Sequence, residues 1–385
     1  MLQFGLVLSL LMASCAIAGA APLGTPIALD PPPMYSAQSG VGFSDGGRAS
    51  HFAVDVPNGN YEVTFSLGGA KESKTSVKAE ERRLLLLNVH LQAGETREET
   101  FTVNVRDGQL NLEFLGEGRA VRSVAVAPNA MAPTVFLAGD STVCDQTDEP
   151  WAGWGQMLPA FFGDGVAIAN HAHSGRALKS FVWEHRLEAI IKEMKAGDYL
   201  FVQFTHNDQK AGAAHVEPFT TFKEQLGIYI KAAREKGATP VLVTAMHRRV
   251  FDAAGHIENT LGDYPEAMRQ TAREQGVVLL DLNAQSRTLY EAWGPEQSKS
   301  AFVWFPANTF PGQDKALKDN THFTNYGAYE LARCVVGELQ KSDLDLKRFL
   351  RPETLQPFDP ARPDPVEAVA IVPSSSASIQ KPEGN

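Results

Sequence analysis

Four short stretches of the 385-residue chain put chemistry-bearing side chains where a fold can gather them. Gly139-Asp140-Ser141 follows the apolar run TVFLAG, and Asn170 to Gly175 (NHAHSG) follows GVAIAN. THNDQK (Thr205 to Lys210) follows YLFVQF, and DNTHF, with Asp319 and His322, stands ahead of the last helical segment. Acyl transfer needs a hydroxyl nucleophile, an imidazole to take its proton, a carboxylate to orient the imidazole, and donors aimed at the developing oxyanion. Ser141, His322 and Asp319 can fill the first three roles. The side-chain amide of Asn207 and the backbone N–H groups of Gly175 and Ser141 can fill the last. Each residue alone also has a plainer reading: a turn at Gly-Asp-Ser, a loop tie at Asp140, a helix cap at Asp319, a loop-closing amide at Asn207, a turn glycine at Gly175. Their occurrence together, in order, at strand ends or, for Asp319 and His322, in the last loop before a helix, favours the catalytic reading. No G-x-S-x-G elbow is present, which argues against an α/β-hydrolase.

The elements that must position these residues occupy residues 134–345. TVFLAG, GVAIAN, YLFVQF, PVLVTA and VVLLDL are near-continuous apolar runs, as expected of strands covered on both faces. Leu187, Ile190, Ile191 and Met194 lie at helical spacing, as do Phe222, Leu226, Tyr229, Ile230 and Ala233. Alternating strands and helices predict an α/β, flavodoxin-like three-layer domain with a parallel five-stranded sheet and functional groups at its carboxyl rim. Between roughly Ser50 and Pro128 the pattern is instead of period two, which predicts an antiparallel β-sandwich domain over residues 22–130. There HFAVDV and YEVTFSL flank Pro57 to Asn60, and Asp107-Gly108 between ETFTVNV and LNLEFLG predicts a hairpin. Residues 346–385 form a Pro- and Ser-rich tail, expected to wrap the surface and then lose order.

The blocks GDSTV, the glycine of SGRALKSF, HND and DNTHF resemble the four consensus blocks of the SGNH (GDSL-type) hydrolases. AGDSTVCDQ, WAGWGQML, SGRALKSF, QFTHNDQK, the arginine pair of HRRVFDAAG, DYPEAMR and DNTHFTNYGAYELA further resemble the rhamnogalacturonan acetylesterase group. The N-terminal region resembles a galactose-binding-like domain fused to some bacterial members. The resemblance implies a carbohydrate esterase removing acetyl groups from a pectic backbone. It implies Ser141 as nucleophile, Asp319 and His322 as its triad partners, and Ser141, Gly175 and Asn207 as the oxyanion hole. Thr205 stands where the third block usually has glycine. Because a β-branched residue does not readily take positive φ, that loop is expected either at negative φ or altered in shape. An esterase of acetylated xylan, mannan or another acyl ester, and a catalytically inactive carbohydrate-binding protein, remain the alternatives.

A galacturonate-containing substrate carries carboxylates, to which arginine is suited. Arg176, Lys179 and one of Arg248 and Arg249 are candidates for binding it, and His206 for shaping the cleft. Trp304, Phe305 and Phe310, in the long stretch from Gly294 to Lys318, either stack on sugar rings or pin that stretch down. His171 and His173 form H-x-H without a third ligand pattern, so no metal or other cofactor is expected. The net charge of −10 and pI near 5.5 leave no basic footprint for nucleic acid. Residues 1–20 carry no charged side chain and end in small residues, an export signal that predicts a secreted or periplasmic protein; Cys15 offers lipid anchoring as the alternative, the one route to a membrane. Cys144 and Cys334 are too few for a disulfide framework, and Cys144 is expected to be a buried thiol.

Overall fold

The computed structural model describes residues 23–46, 48–374 and 378–383; the segment read as an export signal, with Cys15, lies outside them. Among the described residues nine strands form the N-terminal region: β1 (Ile27–Ala28), β2 (Val41–Phe43), β3 (His51–Asp55), β4 (Gly59–Gly68), β5 (Ser73–Ala79), β6 (Arg83–Leu91), β7 (Thr96–Val105), β8 (Gln109–Leu115) and β9 (Val121–Pro128). Then come β10 (Thr134–Gly139), α1 (Trp154–Met157), β11 (Ala167–Asn170), α2 (Leu178–Trp183), α3 (Arg186–Glu193), β12 (Tyr199–Gln203), α4 (Lys223–Glu235), β13 (Thr239–Val243), α5 (Tyr264–Gln275), β14 (Val278–Leu280) and α6 (Leu282–Gln297). The chain continues through β15 (Phe302–Phe305), β16 (Leu317–Phe323) and α7 (Asn325–Lys341).

The five apolar runs become β10 to β14, parallel and in the order β11-β10-β12-β13-β14. β10, whose six residues are all buried, lies inside the sheet, so its carboxyl end opens onto the middle of the rim. One face packs on α3, α4 and α5 through Phe136, Ile190, Leu226, Tyr229 and Met268; the other packs on α6 and α7 through Leu137, Val241, Leu289 and Val335. The sheet does not stop at β11. Thr102 and Val103 of β7 pair in parallel with Ala167 and Ile168, so one leaf of the sandwich (β1-β9-β4-β7) and the parallel sheet are a single nine-stranded surface.

Two local expectations are corrected. Asp107-Gly108 does not close a hairpin: β7 pairs with β4 and β8 pairs with β3 and β5, in opposite leaves. Phe101, Val103, Leu110 and Leu112 all face the core between the leaves, so the turn carries the chain across that core. A tight hairpin lies two strands earlier, at β5–β6, with Glu80 (φ 52°) and Arg82 (φ 60°) at its tip. Likewise the stretch ahead of α7 is no irregular loop: β15 and β16 pair antiparallel, and Asp319 and His322 sit on β16.

The described part of the tail wraps onto the body of the molecule. It threads back along both halves of the molecule: Asn88 donates to Ala370 O, Lys78 Nζ to Val372 O and Ser374 Oγ, and Trp151 Nε1 to Ser378 O. Buried polar groups on the body supply partners that a Ser-rich segment can satisfy.

Candidate active site

The turn after β10 is shaped by Asp140, a fully buried residue whose Oδ1 accepts from Thr142 N (2.9 Å) and Thr142 Oγ1 (2.7 Å). Burial raises its carboxyl above the usual range, consistent with a loop tie. Ser141 leaves this turn with Oγ 2.9 Å from His322 Nε2, and His322 Nδ1 lies 2.9 Å from Asp319 Oδ2. The other Asp319 oxygen accepts the backbone N–H groups of Thr321 (2.7 Å) and His322 (2.9 Å). Burial works to raise this carboxyl, but the hydrogen bonds and charge of His322, with those two backbone donors, hold it well below the ordinary range. The carboxylate is therefore ionised at neutral pH and fixes the imidazole from both ends of the strand turn. Trp151 packs edge-on against His322 with ring centroids 5.6 Å apart. Such a chain can pass a proton from hydroxyl to imidazole while a fixed negative charge steadies the imidazolium.

Ser174, next to Gly175, lies against Cys144 (3.4 Å) and Gln146 (3.5 Å) on the segment that follows Ser141. Gly175 has φ 79°, a backbone shape that favours glycine. Among the described residues, the backbone N–H groups of Ser141 and Gly175 donate to no protein acceptor. Asn207 Nδ2 donates to Arg176 O (3.0 Å), leaving its second amide hydrogen, while Oδ1 accepts from Lys210 Nζ (2.9 Å). Thr205 keeps a positive φ of 155° with its side chain buried and Oγ1 unpaired. The loop thus retains the backbone sign of a glycine despite the β-branched residue, at a strain on the order of 1–3 kcal/mol. Asp208, next in the block, is fully buried, takes Leu178 N–H on Oδ1 and is pushed by burial up to about 7.

The five proposed substrate contacts separate into two groups. Arg176 and Arg248 lie beside the triad. Arg176 holds Glu184 (2.8 Å) and the tail carboxylate of Glu383 (2.6 Å), and Lys381 of the same tail reaches Asp319 Oδ2 at 3.2 Å. Two residues of tail therefore connect Arg176 to the triad. Arg248 is half-buried within the fields of Asp140 and Asp319, and hydrogen-bonds to His206 O and Thr260 at 3.3–3.4 Å. It has no carboxylate partner among the described residues.

The other three are engaged within the fold. Lys179 Nζ donates to His215 O (2.9 Å). His206 is 1% exposed, with Nε2 against Met246 Sδ, and burial takes it well below its usual range. Arg249 hydrogen-bonds to Ser298, Asn320 and Pro295 O and stacks on Trp304 at 4.6 Å. Trp304 in turn donates to Asn320 Oδ1, and Phe305 meets Phe310 edge-on at 5.0 Å, so these aromatics pin the segment around β15 and β16. His171 is buried and pushed down to about 2, first by desolvation and then by Arg106 and Arg83. Burial pushes the Cys144 thiol up to about 12, leaving it protonated and unreactive at neutral pH. Among the described residues no group of three or more His, Cys, Asp or Glu is arranged to hold a metal ion, and no helix is long and apolar enough to cross a membrane.

Several residues around the site carry no local sequence signal. Gln146 Nε2 donates to Ser141 O (2.9 Å), and Trp154 Nε1 to Gln203 Oε1 (2.7 Å), whose amide reaches Thr142 Oγ1 (3.0 Å). Arg83 of β6 pairs with Asp145 at 2.7 Å, and Asp145 also takes the Asn170 amide. They become visible only once β10, β11 and the sandwich are brought side by side.

Residues 137–328 match the GDSL-like lipase/acylhydrolase family, and residues 34–128 match the galactose-binding domain-like region of the beta-agarase/YXIM esterase-like group. The chain is 48% identical over 218 residues to the rhamnogalacturonan acetylesterase RhgT of Bacillus subtilis, covering 56% of this chain and 93% of that protein. It is 32% identical over 307 residues to the uncharacterized esterase YxiM of the same organism, covering 76% and 75%. The crystal structure of YxiM superposes with a TM-score of 0.50 at 31% identity, over 77% of this chain and 81% of that one. With this likeness spanning both halves, and the serine, imidazole and carboxylate in mutual contact, the chain belongs to the SGNH (GDSL-type) hydrolases, in their rhamnogalacturonan acetylesterase-like group, and is a carboxylic ester hydrolase.

Proposed function

We propose that the protein removes O-acetyl groups from a plant cell-wall polysaccharide, specifically the rhamnogalacturonan backbone of pectin, through an acetyl-serine intermediate. Ser141 Oγ attacks the acetyl carbonyl as its proton passes to His322 Nε2 across the 2.9 Å contact. Asp319 balances the imidazolium. The negative oxygen of the tetrahedral intermediate is met by the N–H groups of Ser141 and Gly175 and the free hydrogen of Asn207. Collapse breaks the bond to the sugar oxygen, which takes the proton from Nε2 and leaves as the deacetylated hydroxyl. Water, deprotonated by the same nitrogen, then attacks acetyl-Ser141 and releases acetate.

The observation that carries the chemistry is the unbroken contact from Ser141 through His322 to Asp319. The substrate class is supported by the 48% identity to a rhamnogalacturonan acetylesterase, and by Arg176, which already grips a carboxylate beside the triad. A galacturonate carboxylate presents the same charge as Glu383, which meets Arg176 through one oxygen. The reading of residues 1–20 as an export signal puts this activity in the periplasm or outside the cell, where such a polymer is met.

The test is acetate release from acetylated rhamnogalacturonan, xylan and mannan by the wild type and by Ser141→Ala. The expected result is fastest release from rhamnogalacturonan and none from the variant. Faster release from xylan or mannan would overturn the substrate; release by Ser141→Ala would overturn the nucleophile.

A further inference from the structure

The β5–β6 hairpin belongs to the N-terminal sandwich, yet its far end is built into the hydrolase half. Leu84, fully buried, is part of the core under β10 and α7. At the tip, Glu81 O accepts Gln156 Nε2 (2.6 Å). Between them Arg82, 7% exposed, spreads its guanidinium across two separate loops. Nη1 donates to Gln146 O (2.9 Å) and Trp151 O (3.1 Å), both on the segment that leaves Ser141. Nη2 donates to Asn325 Oδ1 (3.2 Å) and pairs with Glu149 Oε1 (2.6 Å). Asn325 stands three residues beyond His322 and returns its own amide hydrogens to Glu149 at 3.0 and 3.1 Å.

Both loops act directly on the reacting pair. On one side Gln146 holds the Ser141 carbonyl and Trp151 lies edge-on to His322; on the other Asn325 opens the helix that follows the imidazole. Ala152 N donates to Phe323 O (3.0 Å), joining the same two segments a second time. The hairpin holds this tip with Glu80 and Arg82 both in the left-handed region, at φ 52° and 60°, a conformation that ordinary residues adopt only where surroundings impose it. A planar fork fits this task because it fixes two directions at once, whereas an ammonium group satisfies them one at a time.

We propose that Arg82 is a positioning residue: supplied by the N-terminal domain, it sets the distance and angle between Ser141 Oγ and His322 Nε2, so that this domain is part of the esterase machinery. The inference rests on the Ser141–His322 pair being catalytic, as argued above.

The experiment measures kcat and KM for an aryl acetate, the rate at which a sulfonyl fluoride labels Ser141, and thermal unfolding. The proteins are the wild-type full chain, Arg82→Lys, Asn325→Ala and Ser141→Ala. Arg82→Lys retains a charge for Glu149; Asn325→Ala removes the Arg82 anchor on the imidazole side together with the hydrogen bonds to Glu149. Each is expected to lower kcat and the labelling rate together by tenfold or more, with KM within about twofold and the unfolding temperature within a few degrees. Folded variants with kcat and labelling within twofold of wild type would overturn the proposal, as would losses that disappear when the assay is cooled to where the variant is fully folded. If Ser141→Ala retained wild-type turnover, the catalytic reading itself would fall instead, which separates the two.

Discussion

Asp319→Asn isolates what the carboxylate does, because the structure says which of its contacts survive. Oδ1 takes the backbone N–H groups of Thr321 and His322, and an asparagine oxygen can keep both, so the strand turn should remain folded. Oδ2 takes His322 Nδ1, and there the substitution places an NH₂ donor. The imidazole must then accept at Nδ1 and carry its proton on Nε2, facing Ser141, where it cannot act as a base. The lost charge adds to this. A carboxylate and an imidazolium with centres about 4 Å apart interact by about 4 kcal/mol at an effective dielectric near 20, about three powers of ten in rate. With the tautomer also wrong, kcat for an aryl acetate should fall by about three to four powers of ten. KM should change little and the unfolding temperature should stay close to wild type. A folded variant that lost less than about tenfold would refute this account of how the imidazole is oriented and charged.

Asn207→Ala should slow turnover by about two to three powers of ten if its free hydrogen meets the oxyanion, read as kcat on the same aryl acetate; a loss below about tenfold would mean that the strained turn at Thr205 aims it elsewhere. Glu383→Gln should lower KM for a uronate-containing acetylated oligosaccharide by freeing Arg176, and leave KM for a neutral aryl acetate unchanged; equal effects on both would remove Arg176 from uronate binding. Asp208, raised by burial to about 7, has a folded value above its unfolded one, so its contribution to stability is full in acid and lost as pH rises through 7. Asp208→Asn, which stays neutral, should therefore gain on wild type between pH 5 and pH 9 by on the order of 2–3 kcal/mol in denaturant unfolding; a gain in the opposite direction would contradict its buried ionisation.

The parallel sheet was readable in the sequence because burial on both faces leaves an unbroken apolar run, and TVFLAG coincides with β10 residue for residue. The site residues could be singled out for a related reason: Ser141 and Asn207 follow such runs, Asp319 and His322 stand just ahead of the last helix, and the fold brings Ser141, His322 and Asp319 into contact. Pairing partners are a different matter. A turn such as Asp107-Gly108 reverses the chain equally well within a sheet or between two, and only the shared core of β7 and β8 decides. Nor does anything near Arg82 in sequence disclose its partners at Gln146, Trp151 and Asn325, 64 to 243 positions away. Arg249 and Lys179 show the converse. Their chemistry suits an anionic substrate, but local carbonyl and hydroxyl groups engage them first.

The most direct measurement is to mix the full chain with an aryl acetate, quench it within the first turnover and locate the acetyl group by peptide mass spectrometry. The account predicts one acetyl on the peptide containing Ser141, accumulating with wild type and missing from Ser141→Ala. Acetate released at the wild-type rate with that peptide never modified, or with the label on another side chain, would contradict it.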